Sequence, residues 1–550
     1  MDQESSPSEQ LVYEHLGAAV LAYLLAIEIS KVQERFGAGN RRALDEVQES
    51  VIAQLVLVDG MLLDSNLPEG FLSREWSSRL TRRDESTGLS MGNLLRQLCG
   101  GQILKIPEHK SRMEELLIGL TIDAYPGLLV REPASHFRGF DSGLIGSLFN
   151  HPSSKEFQEL VLGDGDLSRL FPENSEHSGW SGNSQRSTGQ GGSHQLWTFA
   201  ESIISVAWSV SLLENEYPSI DQLSGSALQL LGTIRSALRG EEASVPVRIG
   251  LTGVLLPDGR DTLDLGWARI RRSDERDERH AWRSSIDGEL TTTSPDGQTV
   301  KIKYSGDLVL ECELPYKLIV GDMDLRQGWP QELQGYQIVE EMTQSIRLGL
   351  LLACPDRLPI LVTTWRITLD PLSPGNSMSW SDPKQGRGLM PVQLSEKDSD
   401  DWLKWAKAVA EYRTPGIGVA VRRILAAVAE RRAPEDVLVD AVIVWENLFG
   451  ARSETTLRIS SSLAWLLGTS KADRLLRQTK YKKIYSLRSD VVHGAAKVNQ
   501  KKINEESQHA VEISVEALRA VFSDYKDLLE LKDSETRSLH MIHGGDRAAP

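Results

Sequence analysis

Tyr481-Lys482-Lys483-Ile484-Tyr485-Ser486-Leu487-Arg488-Ser489-Asp490-Val491-Val492-His493-Gly494 reads as the last turns of a basic helix. Gly494 follows an apolar run with helical spacing, the position that favours a terminating glycine. Working outward, Arg474–His493 joins five further helical segments: Asp400–Tyr412, Gly418–Arg431, Glu435–Phe449, Glu454–Leu467 and Asn504–Glu530. Gly450 and Gly468 end two of them, and Pro434 stands where a helix start tolerates proline. Residues 397–533 are therefore expected to form an all-α helical bundle, followed by a polar, disordered tail over 534–550.

Upstream the pattern changes twice. Residues 1–171 read as mainly helical, with long apolar stretches at Leu11–Phe36 and Arg42–Leu63 and helical spacing at Ser111–Ile122. The polar, glycine-rich stretch 172–193 cannot bury much apolar surface and predicts a flexible linker or loop. A helical segment covers 194–244. Residues 245–396 then form a β-rich module, with strands at Val247–Leu256, Asp261–Arg271, Thr299–Tyr304, Asp307–Leu314 and Leu358–Thr368 and a helix at Tyr336–Ala353. Pro257–Gly259 and Pro295–Gly297 supply turns. The expected class is thus multidomain α+β: a helical N-terminal region, a β-rich middle and an all-α C-terminal bundle.

A length of 550 residues exceeds one ordinary domain. The net charge of −16 excludes a surface that is basic all over, but ten Lys and Arg between Lys471 and Lys502 face only Asp473 and Asp490. Cys99, Cys312 and Cys354 are isolated and give no zinc spacing, which fits a reducing, cytoplasmic location. The acidic start (Asp2, Glu4, Glu9) is not a secretory signal, and the apolar run Leu16–Ile27 is too short to span a membrane. No phosphate-binding glycine loop and no nucleophile elbow is present. Glu311 and Glu313 with Lys317 faintly suggest a metal nuclease, but strand alternation accounts for them. Trp402, Trp405 and Trp465 fall at helical core spacing.

One chemistry needs only what the quoted segment holds. RNA carries its own nucleophile, so cleavage needs a group that moves the 2′-hydroxyl proton and a cation for the phosphate. His493 suits the first role at neutral pH and Arg488 the second, with no metal and no cofactor. Lys482, Lys483 and Lys497 are candidate contacts to the RNA backbone. Ser489 and Asp490 lie between the pair and are candidate supporting groups. The same Arg-to-His spacing recurs at Arg131–His136, so spacing alone is weak evidence. Five helical residues also place Arg488 and His493 about 140° apart around the axis. Arg488 must reach around, the helix must distort, or a second subunit must complete the site.

The segment resembles the HEPN superfamily, particularly its Apea-like branch. The resemblance rests on Arg488-Ser489-Asp490-Val491-Val492-His493-Gly494, its lead-in at Tyr485 and Leu487, and a second segment over Val439–Phe449 followed by Glu454 and Ala464. Many members carry Asn or Asp where this chain has Ser489. The resemblance covers roughly Ser399–Leu531. It implies a metal-independent endoribonuclease, dimeric through the C-terminal bundle, that cleaves transfer or messenger RNA to a 2′,3′-cyclic phosphate. It also implies an antiviral or toxin-like role, with a phage-derived trigger or partner protein acting on the N-terminal half. Glu446 is then either a supporting acid or a solvated residue beside Trp445. A non-catalytic dimerisation or nucleotide-binding protein is the competing reading.

Overall fold

The computed structural model describes residues 6–37, 44–64, 69–106, 110–130, 148–174, 179–274, 276–277, 290–293, 299–302, 306–321, 330, 333–373, 377–380, 391–494 and 499–543. The protein is mixed α+β with a helical C-terminal region. The chain divides into two compact units: residues 1–247, 313–336 and 367–378, and residues 248–312, 337–366 and 379–550.

In the first unit, the apolar stretch expected as one helix is three: α1 (Pro7–Leu16), α2 (Ala18–Leu24) and α3 (Ile29–Phe36). Gly17 and Ala26, at φ +86° and +53°, turn the chain at the two joins and cannot continue an α-helix. There follow α4 (Glu46–Asp64), α5 (Glu69–Thr81), α6 (Met91–Leu98), α7 (Arg112–Leu128), α8 (Pro152–Gly163), α9 (Phe199–Glu214) and α10 (Ile220–Arg239). Ser111 and Glu114 close a capping box on α7, which is buried along nearly its whole length. Among the described residues, Leu196–Glu214 is the one helical window long and apolar enough to cross a membrane. Its Ile203, Ile204, Val206 and Ala207 are fully buried, so core packing accounts for that apolarity.

The stretch expected as a flexible linker, 172–193, is instead mostly sheet: β1 (Glu173–Asn174), β2 (Gly179–Arg186) and β3 (Gly191–Gln195). β2 pairs antiparallel with β1, with β3 and with Leu318–Val320. Backbone pairing does not require apolar side chains, and the polar groups here find partners far away in sequence. Arg186 bonds Asp370 at 2.7 Å, and Thr188 and Tyr316 bond the same carboxylate at 2.9 Å each. Asp370 is fully buried, so this network ties β2 to two distant segments.

The β-rich middle contains β4 (Ser244–Thr252), β5 (Val254–Leu255), β6 (Thr262–Asp264), β7 (Ala268–Arg272), β8 (Leu290–Thr293), β9 (Thr299–Ile302), β10 (Leu308–Pro315), β11 (Leu318–Val320), β12 (Val362–Thr368), β13 (Ser377–Trp380) and β14 (Val392–Gln393). Asp261–Arg271, expected as one strand, is the hairpin β6–β7, turned at Gly266 with φ +86°. The turn at Pro257–Gly259 forms as expected, closed by the Arg260 N–H on the Pro257 carbonyl with Gly259 at φ +83°. The turn expected at Pro295–Gly297 lies outside the described residues. The six-stranded sheet has the order β13-β12-β4-β10-β7-β6. Glu311 on β10 is no open carboxylate: Arg269 and Arg271 bond it at 2.7 and 2.9 Å and Arg248 lies 3.1 Å away. Burial pushes its carboxyl up, but the three arginines outweigh that and hold it below the ordinary range.

The C-terminal helices are α11 (Gly335–Ala353), α12 (Glu396–Tyr412), α13 (Gly418–Ala429), α14 (Pro434–Phe449), α15 (Thr455–Leu467), α16 (Lys471–Val492), α17 (Gln500–Ser523), α18 (Asp527–Glu530) and α19 (Ser534–His543). They share one core, in which α14 is the central member. The tail expected to be disordered begins as α19. Arg537, 2% exposed, donates to the carbonyls of Leu448 and Asn447 at 2.9 and 2.7 Å. It thereby satisfies the orphan carbonyls that end α14. Gly450 and Gly468 do not adopt the left-handed conformation: their φ values are −68° and −89°. Glycine is still required at 450, where a Cβ would stand 2.4 Å from the Glu446 carbonyl oxygen.

Candidate functional site

α16 has 22 residues, yet only Tyr481, Ile484 and Leu487 are buried. Their spacing of three makes a narrow apolar seam against α14 and its neighbours. Ser470 caps the helix by accepting from the Asp473 N–H. At the seam the rings of Trp445 and Tyr481 lie 6.0 Å apart, and the Trp445 indole N–H donates to Ser514 on α17 at 2.9 Å. This packing fixes the face on which Glu446, the next residue, meets α16.

Glu446 meets two groups there. Its Oε1 accepts from the Tyr485 hydroxyl at 2.8 Å, and its Oε2 accepts from Arg488 Nη2 at 3.2 Å. Arg488 and Glu446 are 21% and 27% exposed. Burial and the bond to Glu446 push the Tyr485 phenol up to about 12, so it stays a donor at neutral pH. The Arg488 Nε is buried and has no hydrogen-bond partner among the described residues.

His493 is elsewhere. It caps the C-terminus of α16 at φ −88°, fully on the exposed side, and its backbone N–H bonds the Ser489 carbonyl at 3.0 Å. Gly494 then turns the chain at φ +68°, as the sequence reading expected. Neither Ser489 nor Asp490 makes a side-chain bond to Arg488 or His493 among the described residues. At 100° per residue, Leu475, Lys482, Ser486 and His493 fall within about 20° of one line along the helix. All four are exposed, Leu475 at 65%. Arg488 lies about 140° from that line. The structure thus unites Arg488 with Glu446 and keeps His493 apart, on the same outward ridge as Lys482.

The basic segment also sorts into engaged and unengaged cations. Arg474 stacks 4.0 Å above the Trp465 ring, and Arg477 pairs with Asp473 at 3.1 Å. Trp465, expected in the core, is 36% exposed and forms this outer platform, whereas Trp402 is buried as expected. Lys480, Lys482 and Lys483 are exposed and have no partner among the described residues. Lys497 lies outside the described residues, as does the Arg131–His136 pair. Tyr485 is the site residue that sequence reasoning used only as lead-in. Its position three residues before Arg488, on the same helix face, was the available signal.

Other polar clusters are internally satisfied. His151 meets Asp123 at 2.8 Å while its second ring nitrogen accepts from the Ser153 N–H, and Asp59 takes both His15 and Trp76. Such networks rigidify a core and leave little capacity for a ligand. No protein-family model, no curated protein and no solved structure matches the chain.

Proposed function

We propose that the C-terminal helices form a HEPN-like bundle acting as a metal-independent endoribonuclease. The observation that carries the reading is an exposed histidine at the end of a basic helix, with an incompletely bonded arginine on the same helix. His493 moves the 2′-hydroxyl proton or protonates the leaving 5′ oxygen. Arg488 stabilises the charge that builds on the phosphate, and Lys482 and Lys483 hold the backbone. The product is a 2′,3′-cyclic phosphate. Because the two groups lie on different sides of α16, the site is built from two copies of the chain, Arg488 of one beside His493 of the other. The remaining residues sense a phage-derived trigger, and the protein acts in the cytoplasm as an antiviral or toxin-like effector.

The test incubates the purified chain, with and without lysate from phage-infected cells, with transfer and messenger RNA in EDTA. Cleavage that persists in chelator and disappears in His493→Ala and Arg488→Ala supports the reading. Chelator-sensitive cleavage, or cleavage unchanged by both substitutions, overturns it. One observation favours a second reading. Arg488 is ion-paired with Glu446, as a purely structural arginine would be, and a non-catalytic dimerisation bundle would show the same pair. That reading predicts harmless expression, indifferent to His493→Ala.

A further inference from the structure

Glu446 places a negative charge against the one arginine of the proposed site. Its carboxylate is held at both oxygens, by Arg488 at 3.2 Å and by Tyr485 at 2.8 Å. A carboxylate pinned in this way does not swing off into solvent as a lone surface glutamate does. Arg488 is nevertheless poorly served. A guanidinium offers five N–H donors in a fork suited to two-point contact with an oxyanion. Among the described residues it makes a single bond, to Glu446, and its Nε is buried without a partner. An unmet buried donor is unfavourable, and a second oxyanion oxygen is what would satisfy it.

We infer that Glu446 is an internal anion occupying Arg488, an autoinhibitory contact that a phosphodiester must displace. The inference deepens the nuclease reading and rests on it for the identity of the incoming anion. Glu446 and an incoming phosphodiester compete for the same Nη2 donor, and a second anion beside the first adds repulsion, so the Glu446 pair opposes phosphate binding at Arg488. On exchange, the phosphodiester takes the Nη2 donor and the bare Nε together, a bidentate contact in place of a single one. No bond is made or broken covalently. The resting chain thus keeps its phosphate-binding cation neutralised until the substrate, or a partner that draws Glu446 away, releases it.

The experiment measures binding of a fluorescent 2′-O-methyl RNA oligonucleotide, which cannot be cleaved by 2′-oxygen attack, to the full chain across a salt series. Glu446→Gln is expected to bind about fivefold tighter than wild type, the scale of one partly exposed ion pair removed. Its log–log salt dependence stays close to that of wild type, because both bound forms make the same phosphate contact at Arg488. Glu446→Gln/Arg488→Ala loses the gain, and its salt dependence becomes shallower by about 0.7, one phosphate contact on a single strand. Tyr485→Phe unpins the carboxylate but keeps its charge, and gives about a twofold gain. It decides the matter alone if Glu446→Gln does not fold. Unchanged or weaker binding in the folded variants overturns the inference. Cleavage of ordinary RNA in EDTA is measured in parallel. Tighter binding with no cleavage by any form sinks the nuclease reading and leaves the internal anion standing. Cleavage by wild type without the binding gain does the reverse.

Discussion

Acid is expected to loosen the four-stranded sheet of the first unit through one imidazole. His194, on β3, presents Nε2 to Arg186 Nη1 at 3.0 Å and to the Ser184 hydroxyl at 2.6 Å. Arginine can only donate, so this nitrogen must be the unprotonated one. Burial and then the Arg186 charge push the imidazole down to about 4 from 6.5, against a smaller opposing pull from Asp370. The folded pKa is therefore below the unfolded one. The contribution to stability is complete above pH 6.5 and is lost as pH falls toward and through 4. Linkage with those two values puts the loss between pH 8 and pH 4.5 at about 2.5 kcal/mol. His194→Gln keeps an acceptor for Arg186 but cannot titrate. Urea titrations of both proteins, followed by hydrogen exchange in the β2–β3 segment, isolate the term as a difference and cancel the carboxylates common to both. Wild type should lose about 2.5 kcal/mol relative to the variant over that interval. Parallel curves from pH 8 to 4.5 would mean that the Arg186–His194 contact does not hold the imidazole neutral.

Three further outcomes follow from single contacts. Asp440, 2% exposed, binds Arg423 and Arg431 at 2.7 and 2.6 Å. Asp440→Ala should destabilise the C-terminal helices by about 2–3 kcal/mol in urea titration, whereas a change below 0.5 kcal/mol would show the pair to be inert. His493→Ala should alter stability by no more than about 0.5 kcal/mol, because the side chain is exposed and unbonded among the described residues. Its thermal melt checks that any loss of RNA cleavage is chemical. Gly349 faces Ala406 so closely that a Cβ would stand 2.6 Å from that residue's Cα and N. Gly349→Val should therefore cost about 1–3 kcal/mol or shift α12, read by circular dichroism and the urea midpoint; wild-type stability would mean that the helices separate freely.

The helices were legible where apolar spacing, caps and terminating residues agree. Ser111 with Glu114, Ser219 with Gln222 and Pro434 each stand where a helix starts. Gly494 does at 493–494 what its position implied. Two of the misreadings share a cause. The stretch 172–193 and the segment after residue 533 look too polar to order themselves, and locally they are. Asp370 organises the first, and the carbonyls at the end of α14 organise the second through Arg537. Those partners are 184 and 89 residues away, so no local pattern can show them.

Local pattern along the chain was enough for the helical C-terminal region, the strands of the middle, and the angular separation of Arg488 from His493. All three follow from repeat lengths of the backbone, which need only neighbours along the chain. Which group Arg488 meets depends on how the helices pack. Glu446 is 42 residues earlier, and it reaches Arg488 because Trp445 and Tyr481 pack α14 against α16 at one rotation. An ion pair between helices depends on that rotation, and rotation is set by the shapes of many buried side chains together rather than by any motif.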